Sequence, residues 1–321
     1  MNNSIFFKSN EYIPINLKNF ILKEMFKNKF NHNTLPDFGN YFNSKILGWG
    51  FPNSHTYKIW LHKIFKNKDY YPNSIIINKN FVLNNKKLII KFINNQRKIL
   101  KPNKGHSGKN IFIIDNYDKL IDKLDDNFWI LQEEIIPQLF NKRKFDIRIF
   151  HFILRYENNW YNILSNNGFV KVSNSPYNNS NNDTKGFITN ISFNENKNNI
   201  KIKYKFFEFV KNENIQNNIF NLIQKYSKDF ILQLIKQNKK FNHLKAQIMM
   251  LGPDIILNEN NDPILIETNC NPAILLKNDL MYNEQKLMIK ELIHNIIIPI
   301  LQNNFNENYS GEQLTIHKII F

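Results

Sequence analysis

Two carboxylates and an amide stand where they could share one ion. Leu251-Gly252-Pro253-Asp254-Ile255-Ile256-Leu257 precedes the polar run Asn258-Glu259-Asn260-Asn261-Asp262, and Pro263-Ile264-Leu265-Ile266-Glu267-Thr268-Asn269 follows it. Two apolar runs around a polar turn predict a β-hairpin. A turn centred between Asn260 and Asn261 sets Asp254 opposite Glu267, with Asn269 two residues further along the same face. Like charges opposed on a sheet are destabilising, so the pairing makes sense with a cation between the acids. All the candidate ligands are oxygens, which selects Mg²⁺ or Mn²⁺ over zinc. A turn centred elsewhere would leave one acid in solvent.

A second stretch could hold the anion that accompanies such an ion. In Lys101-Pro102-Asn103-Lys104-Gly105-His106-Ser107-Gly108-Lys109, two glycines permit a tight turn whose N–H groups can cradle phosphate oxygens. Lys101, Lys104 and Lys109 would add point charges. No Walker loop and no Gly-x-Gly-x-x-Gly run occurs in the chain. By itself the loop also reads as a basic hairpin without a ligand. Further on, Lys144, Asp146 and Arg148 alternate with Phe145, Ile147 and Ile149. A strand here would put the charges on one face and the apolar residues on the other. The charged face could line a cleft or simply meet solvent. Trp129-Ile130-Leu131 runs into the polar step Gln132-Glu133-Glu134-Ile135, where backbone groups could meet a nucleobase edge or merely end a strand.

These residues must be positioned by a mixed framework. Short Ile- and Phe-rich runs predict strands at Ser74–Asn78, Phe112–Asp115, Phe128–Gln132, Phe145–Leu154, Ile255–Leu257 and Pro263–Glu267. Apolar residues spaced by three and four predict helices over Asn218–Gln237 and Glu284–Leu301. Strands and helices do not alternate strictly, which favours an α+β arrangement of several small sheets. Asn-rich patches at 178–182, 194–199 and 258–261 read as turns or loops.

With 321 residues, 42% of them hydrophobic and 14% aromatic, the chain can bury a sizeable core, so a folded protein of two or three subdomains is expected. Its formal net charge of +16 should attract an anionic partner. A nucleotide triphosphate or an acidic peptide fits that field; nucleic acid is suggested by charge alone, without a recognition helix or aromatic ribonucleoprotein motif. Cys270 is the only cysteine, which suits a reducing compartment. No secretory signal is read at the N-terminus, and no apolar run approaches the roughly 18 residues of a membrane span. A soluble cytoplasmic protein, in places cytoskeleton-associated and working as a monomer, is the expectation.

Taken in order, these pieces resemble the tubulin–tyrosine ligase-like family. The Lys-Pro and glycine loop comes first, then the Gln-Glu step, the Lys-Phe-Asp-Ile-Arg strand, and the hairpin with Asp254 and Glu267-Thr268-Asn269. Phe51-Pro52-Asn53-Ser54, Tyr71-Pro72-Asn73-Ser74, Ser173-Asn174-Ser175-Pro176-Tyr177 and Ile188-Thr189-Asn190 are similar to further family segments. The resemblance covers about Phe51 to Leu301. It implies an ATP-grasp fold with an N-terminal segment (1–50), a central subdomain (51–137) and a C-terminal subdomain (138–321).

By the family pattern, Lys101 binds phosphate, covered by the loop containing Lys104, Gly105, Ser107, Gly108 and Lys109. Gln132, Glu133, Glu134 and Ile135 hold adenine. Lys144 and Asp146 lie near ribose and phosphates, with Thr189 and Asn190 near the γ-phosphate. Asp254, Glu267 and Asn269 hold Mg²⁺, with Mn²⁺ as substitute. Arg148 steers the acceptor or the reacting carboxylate. The implied chemistry joins a free amino acid, glutamate foremost, to a carboxylate of a tubulin tail or another acidic protein through an acyl phosphate, as in polyglutamylation. Tyrosine ligation and a weakly active module that binds acidic peptides are the alternatives. Two departures bear on the amino-acid side of the site: Lys171 stands where the family usually has Arg, and Phe187 where it has His.

Overall fold

The computed structural model describes residues 5–7, 15–27, 47–49, 58–94, 96–103, 110–178, 186–189, 203–237, 245–270, 272, 274–276 and 280–321. The strands are β1 (Ile5–Phe7), β2 (Leu47–Trp49), β3 (Ser74–Ile77), β4 (Lys98–Pro102), β5 (Phe112–Ile114), β6 (Trp129–Glu133), β7 (Leu139–Phe140), β8 (Arg143–Tyr156), β9 (Asn159–Val172), β10 (Lys203–Lys205), β11 (Ala246–Leu257), β12 (Pro263–Cys270) and β13 (Leu314–Ile319). The helices are α1 (Ile15–Lys27), α2 (Lys58–Phe65), α3 (Lys79–Asn84), α4 (Lys86–Ile93), α5 (Tyr117–Lys123), α6 (Phe206–Phe209), α7 (Glu213–Gln237), α8 (Tyr282–Leu292) and α9 (Ile298–Gln302); a π-turn at Ile293–Ile297 links the last two.

The expected mix of helices and antiparallel strands is present, but not as several small sheets. A nine-stranded sheet runs β1-β2-β11-β8-β9-β10, with β12 beside β11, β13 beside β9 and β7 beside β8; a four-stranded sheet runs β3-β6-β4-β5. The large sheet grows because β8 and β9 are each 14 residues long and pair almost end to end.

Alternation along β8 decides which face is buried against what. Phe145, Ile147 and Ile149 join Val170, Val172, Ile255 and Leu265 under α2 and α7. On α7, Ile219, Leu222, Ile223, Tyr226, Phe230 and Leu234 recur every three or four residues and form the matching stripe. Trp60 of α2 meets Phe230 edge-on at 5.1 Å. On the opposite face, Phe150, Phe152 and Leu154 pack beneath α8, the π-turn and α9. The remainder of that second face carries the charges of β8.

The small sheet has its own core, in which Ile77, Leu100, Ile114, Trp129 and Leu131 pack against Val82, Ile89, Ile93 and Leu120 of α3 to α5. Its other face turns toward the charged part of the large sheet. The join is fixed by hydrogen bonds. Leu265 N donates to Tyr70 O at 2.9 Å, and Gln138 N donates to Leu257 O at 2.9 Å. Ile59 N donates to Asn103 Oδ1 at 3.2 Å.

Gly168 sits where β9 passes Ile149. A Cβ there would lie 2.7 Å from the backbone oxygen of Arg148 and 2.4 Å from Ile149 Cδ1. The carbonyl cannot move without breaking the ladder. Gly168→Ala should therefore lower unfolding free energy by about 1–3 kcal/mol, read as an earlier urea midpoint. An unchanged midpoint would contradict this packing.

Candidate active-site cleft

A row of charges crosses the face of the large sheet that looks toward the small one. Lys171 stands opposite Asp146, Arg148 opposite Asp254, and Asp254 opposite Glu267. The acidic pair read from the sequence is a true register pair, but the hairpin reaches it differently. Leu257 faces Pro263, so the turn is centred on Asn260, and Asn258 N donates to Asp262 O at 3.0 Å. That register alone would bring Ile266 opposite Asp254. A bulge at Ile266 shifts the pairing by one residue and presents Glu267 instead. Ile266 and Glu267 both line the cleft as a result.

The positive charge beside Asp254 comes from the protein. Arg148 Nε donates to Asp254 Oδ1 at 2.8 Å and a terminal guanidinium nitrogen donates to Oδ2 at 2.5 Å. Lys171 Nζ lies 2.9 Å from Oδ1. Asp254 is only 4% exposed. Burial pushes its pKa up, yet Arg148 and Lys171 outweigh that and hold it well below the usual carboxylate range. An ion between the two acids is therefore not needed to account for their pairing, which corrects that step of the sequence argument. Glu267 differs: among the described residues no hydrogen bond or ion pair reaches its carboxylate.

An open cleft lies between the two sheets. Its polar lining is Lys101, Gln132, Glu133, Lys144, Asp146, Lys171, Thr189, Asp254 and Glu267. Lys101 is 8% exposed and donates to Gln132 Oε1 at 2.6 Å. Burial, together with Lys144 and Lys58, lowers its pKa to about 8 against the pull of Glu267. Burial also lowers Lys144, offset in part by Asp146 and Glu134. The Lys144 ammonium stands 3.8 Å from the centroid of Phe187 and 3.9 Å from Asp146 Oδ1. Thr189 Oγ1 donates to Asp146 Oδ2, while Asp146 Oδ1 is buried without a hydrogen-bond partner among the described residues. A buried acceptor left so carries a desolvation cost, which a donor entering the cleft would relieve.

Ile99, Ile111, Ile135, Ile256 and Ile266 supply an apolar side to the cleft, suited to a flat ring. Of these only Ile135 was read from the sequence. The signal was available: Ile99 lies two residues before Lys101, and Ile256 two after Asp254, so strand alternation puts them on the same face.

Other expected residues have different surroundings. Glu134 does not line the cavity; its carboxylate accepts from Tyr177 Oη at 2.7 Å and lies 2.9 Å from Arg97 Nε. Glu133 does line it, and also accepts from Asn73 Nδ2 at 3.3 Å. Arg148 lies behind Asp254 and outside the lining. Asn269 donates from Nδ2 to Gly252 O at 3.3 Å, also outside it. Lys104, Gly105, Ser107, Gly108, Lys109 and Asn190 fall outside the described residues, as do Phe51-Pro52-Asn53-Ser54.

Among the described residues no group of three or more His, Cys, Asp or Glu side chains could hold a metal ion. Magnesium, however, uses one or two carboxylates when phosphate oxygens complete its shell. Glu267, whose carboxylate has no hydrogen bond or ion pair among the described residues and which lines the cavity together with three lysines, fits an ion that arrives with a polyphosphate.

A charged cleft between two largely antiparallel sheets packed with helices is an α+β architecture of the ATP-grasp type. The model of the tubulin-tyrosine ligase family matches residues 62–305, and the chain belongs to that family. It is also 26% identical to tubulin glycylase 3F of Tetrahymena thermophila, over 53% of this chain and 20% of the relative. The chain thus spans about a fifth of that relative's length.

The Lys101 ammonium is lost as pH rises through about 8. Affinity for inorganic tripolyphosphate, measured by calorimetry, should therefore fall from about pH 7 to about pH 9, and less steeply in Lys101→Arg, which keeps its charge. Equal slopes would remove Lys101 from the anion-holding group.

Proposed function

We propose that the chain is an ATP- and Mg²⁺-dependent ligase that joins the amino group of a free amino acid to a carboxylate on an acidic tubulin tail. The observation that carries this reading is the convergence of Lys101, Lys144 and Glu267 on one cavity between two sheets. Family membership supports it.

In this reading Lys101 and Lys144 hold phosphate oxygens, and the lysine-bearing loop containing Lys104, Gly105, Ser107, Gly108 and Lys109 covers them. Gln132 through Ile135 present the adenine edge, with Ile99, Ile256 and Ile266 against the ring. The unsatisfied Asp146 Oδ1 accepts from a nucleotide donor. Thr189 and Asn190 lie toward the terminal phosphate. Glu267 would hold magnesium, which when bound would offset charge on the phosphate oxygens. Lys171, which lines the cleft, orients the carboxylate to be activated, and Arg148 acts from behind through Asp254. The terminal phosphoryl group passes to that carboxylate with release of ADP; the amine then attacks the acyl carbon, expelling phosphate and forming the amide. The protein's part is positioning and charge, so no side-chain nucleophile is required.

Glutamate is the donor on our first reading. The likeness to a protein named tubulin glycylase favours glycine as the second. Glu267→Gln should weaken ATP binding about tenfold in the presence of Mg²⁺ and leave it nearly unchanged in EDTA, by calorimetry; equal affinities in Mg²⁺ would remove Glu267 from the metal site. Incubated with tubulin, ATP and labelled glutamate, glycine or tyrosine, the protein should incorporate glutamate, or glycine on the second reading. No incorporation of any of them refutes the tubulin assignment.

A further inference from the structure

Ser173-Asn174-Ser175-Pro176-Tyr177, which follows β9, has no role in the chemistry above. Its backbone is tied to the entry of β8. Ser173 N donates to Lys144 O at 2.8 Å, and Tyr177 N donates to Lys142 O at 2.8 Å. Its far end is tied to the small sheet. Tyr177 Oη donates to Glu134 Oε1 at 2.7 Å, and the other oxygen of Glu134 lies 2.9 Å from Arg97 Nε. A terminal guanidinium nitrogen of Arg97 donates to Asn178 O at 2.9 Å. The segment is thus pinned to both sheets.

Pinned in this way, it is a seat for one wall of the cleft. Gly186 rests on it: a Cβ there would overlap Pro176 O and lie 3.2 Å from Tyr177 Cα. The next three residues, Phe187, Ile188 and Thr189, line the cleft. Phe187 caps the Lys144 ammonium at 3.8 Å, and Thr189 donates to Asp146. Tyr177 is not part of the lining, so it acts through the wall that it seats. Its bond to Glu134 is charge-assisted and the Glu134 side chain is only 5% exposed, which makes it worth more than a neutral bond in water.

We propose that Tyr177 is a positioning residue: through Glu134 it holds the Phe187–Thr189 wall against Lys144 and Asp146. The consequence for a bound terminal phosphate rests on the ligase reading; the seat itself does not.

Thiol labelling reads the wall without any ligand. Thr189 is 4% exposed, so the thiol introduced by Thr189→Cys, in a Cys270→Ser background, should react slowly with Ellman's reagent. Adding Tyr177→Phe should speed that reaction about fivefold. Glu134→Gln, whose amide oxygen still accepts from Tyr177, should speed it less than Glu134→Leu. The native thiol of Cys270, followed in Tyr177→Phe alone, should react at the parent's rate. Unchanged labelling at position 189 overturns the proposal, as does an equal rise at Cys270, which marks general loosening. In the native background, Tyr177→Phe should also weaken inorganic tripolyphosphate about threefold by calorimetry and leave adenosine within error. Faster labelling with tripolyphosphate held as before would count against the phosphate assignment of the ligase reading and leave the seat standing.

Discussion

A carboxylate buried in the central strand is the constraint around which the large sheet is arranged. β11 is buried along its whole length, and Asp254 stands in it between Pro253 and Ile255. An isolated charge there would be untenable, and removing one partner of such a buried group typically costs about 3–5 kcal/mol. Arg148 meets Asp254 with two hydrogen bonds and Lys171 adds a third contact. Beside it, Gly252 lets Pro272 approach, since a Cβ would lie 3.0 Å from Pro272 Cγ. The register of β8, β9 and β11 is therefore also the register of the charges.

Once Asp254 is satisfied from within, the division of labour in the cleft follows. The triad of Arg148, Asp254 and Lys171 is a preorganised floor, while Glu267, Lys101 and Lys144 are the groups with charge to offer a ligand. They come from different strands of the two sheets: Lys101 from β4, Lys144 from β8 and Glu267 from β12. The relative position of the two sheets thus controls the site. Glu134 is well placed to set it, because it sits just past β6 and ties Arg97, ahead of β4, to Tyr177, beyond β9. Its acidity serves to hold the walls together.

Much of this was legible in the sequence where local pattern and tertiary demand agree. The alternation of Lys144 to Ile149 named both faces of β8, and the spacing of α7 named its buried stripe. The opposition of Asp254 and Glu267 was found although the turn is centred half a residue away, because the bulge at Ile266 compensates. What was missed had misleading local chemistry. β9 contains Ser165-Asn166-Asn167-Gly168, which reads as a turn; in the sheet, three of its residues bulge against Phe150 alone. β11 contains Gly252-Pro253, which reads as a break. The strand continues because the ladder to β8 lapses from Leu251 to Pro253 and resumes at Asp254. Proline there needs no donor. Partners far apart in sequence left no local trace, so the ion triad and the role of Glu134 appear only in the fold.

The central claim is that the carboxylate of Glu267, Lys144 of the same sheet and Lys101 of the opposite sheet converge on one metal–triphosphate complex. Electron paramagnetic resonance of Mn²⁺ titrated into the protein, with and without ATP, tests it most directly. The account predicts little manganese bound without nucleotide and about one ion bound per chain with it, released on adding excess Mg²⁺. Manganese bound equally well without ATP, or not at all with it, would contradict the account.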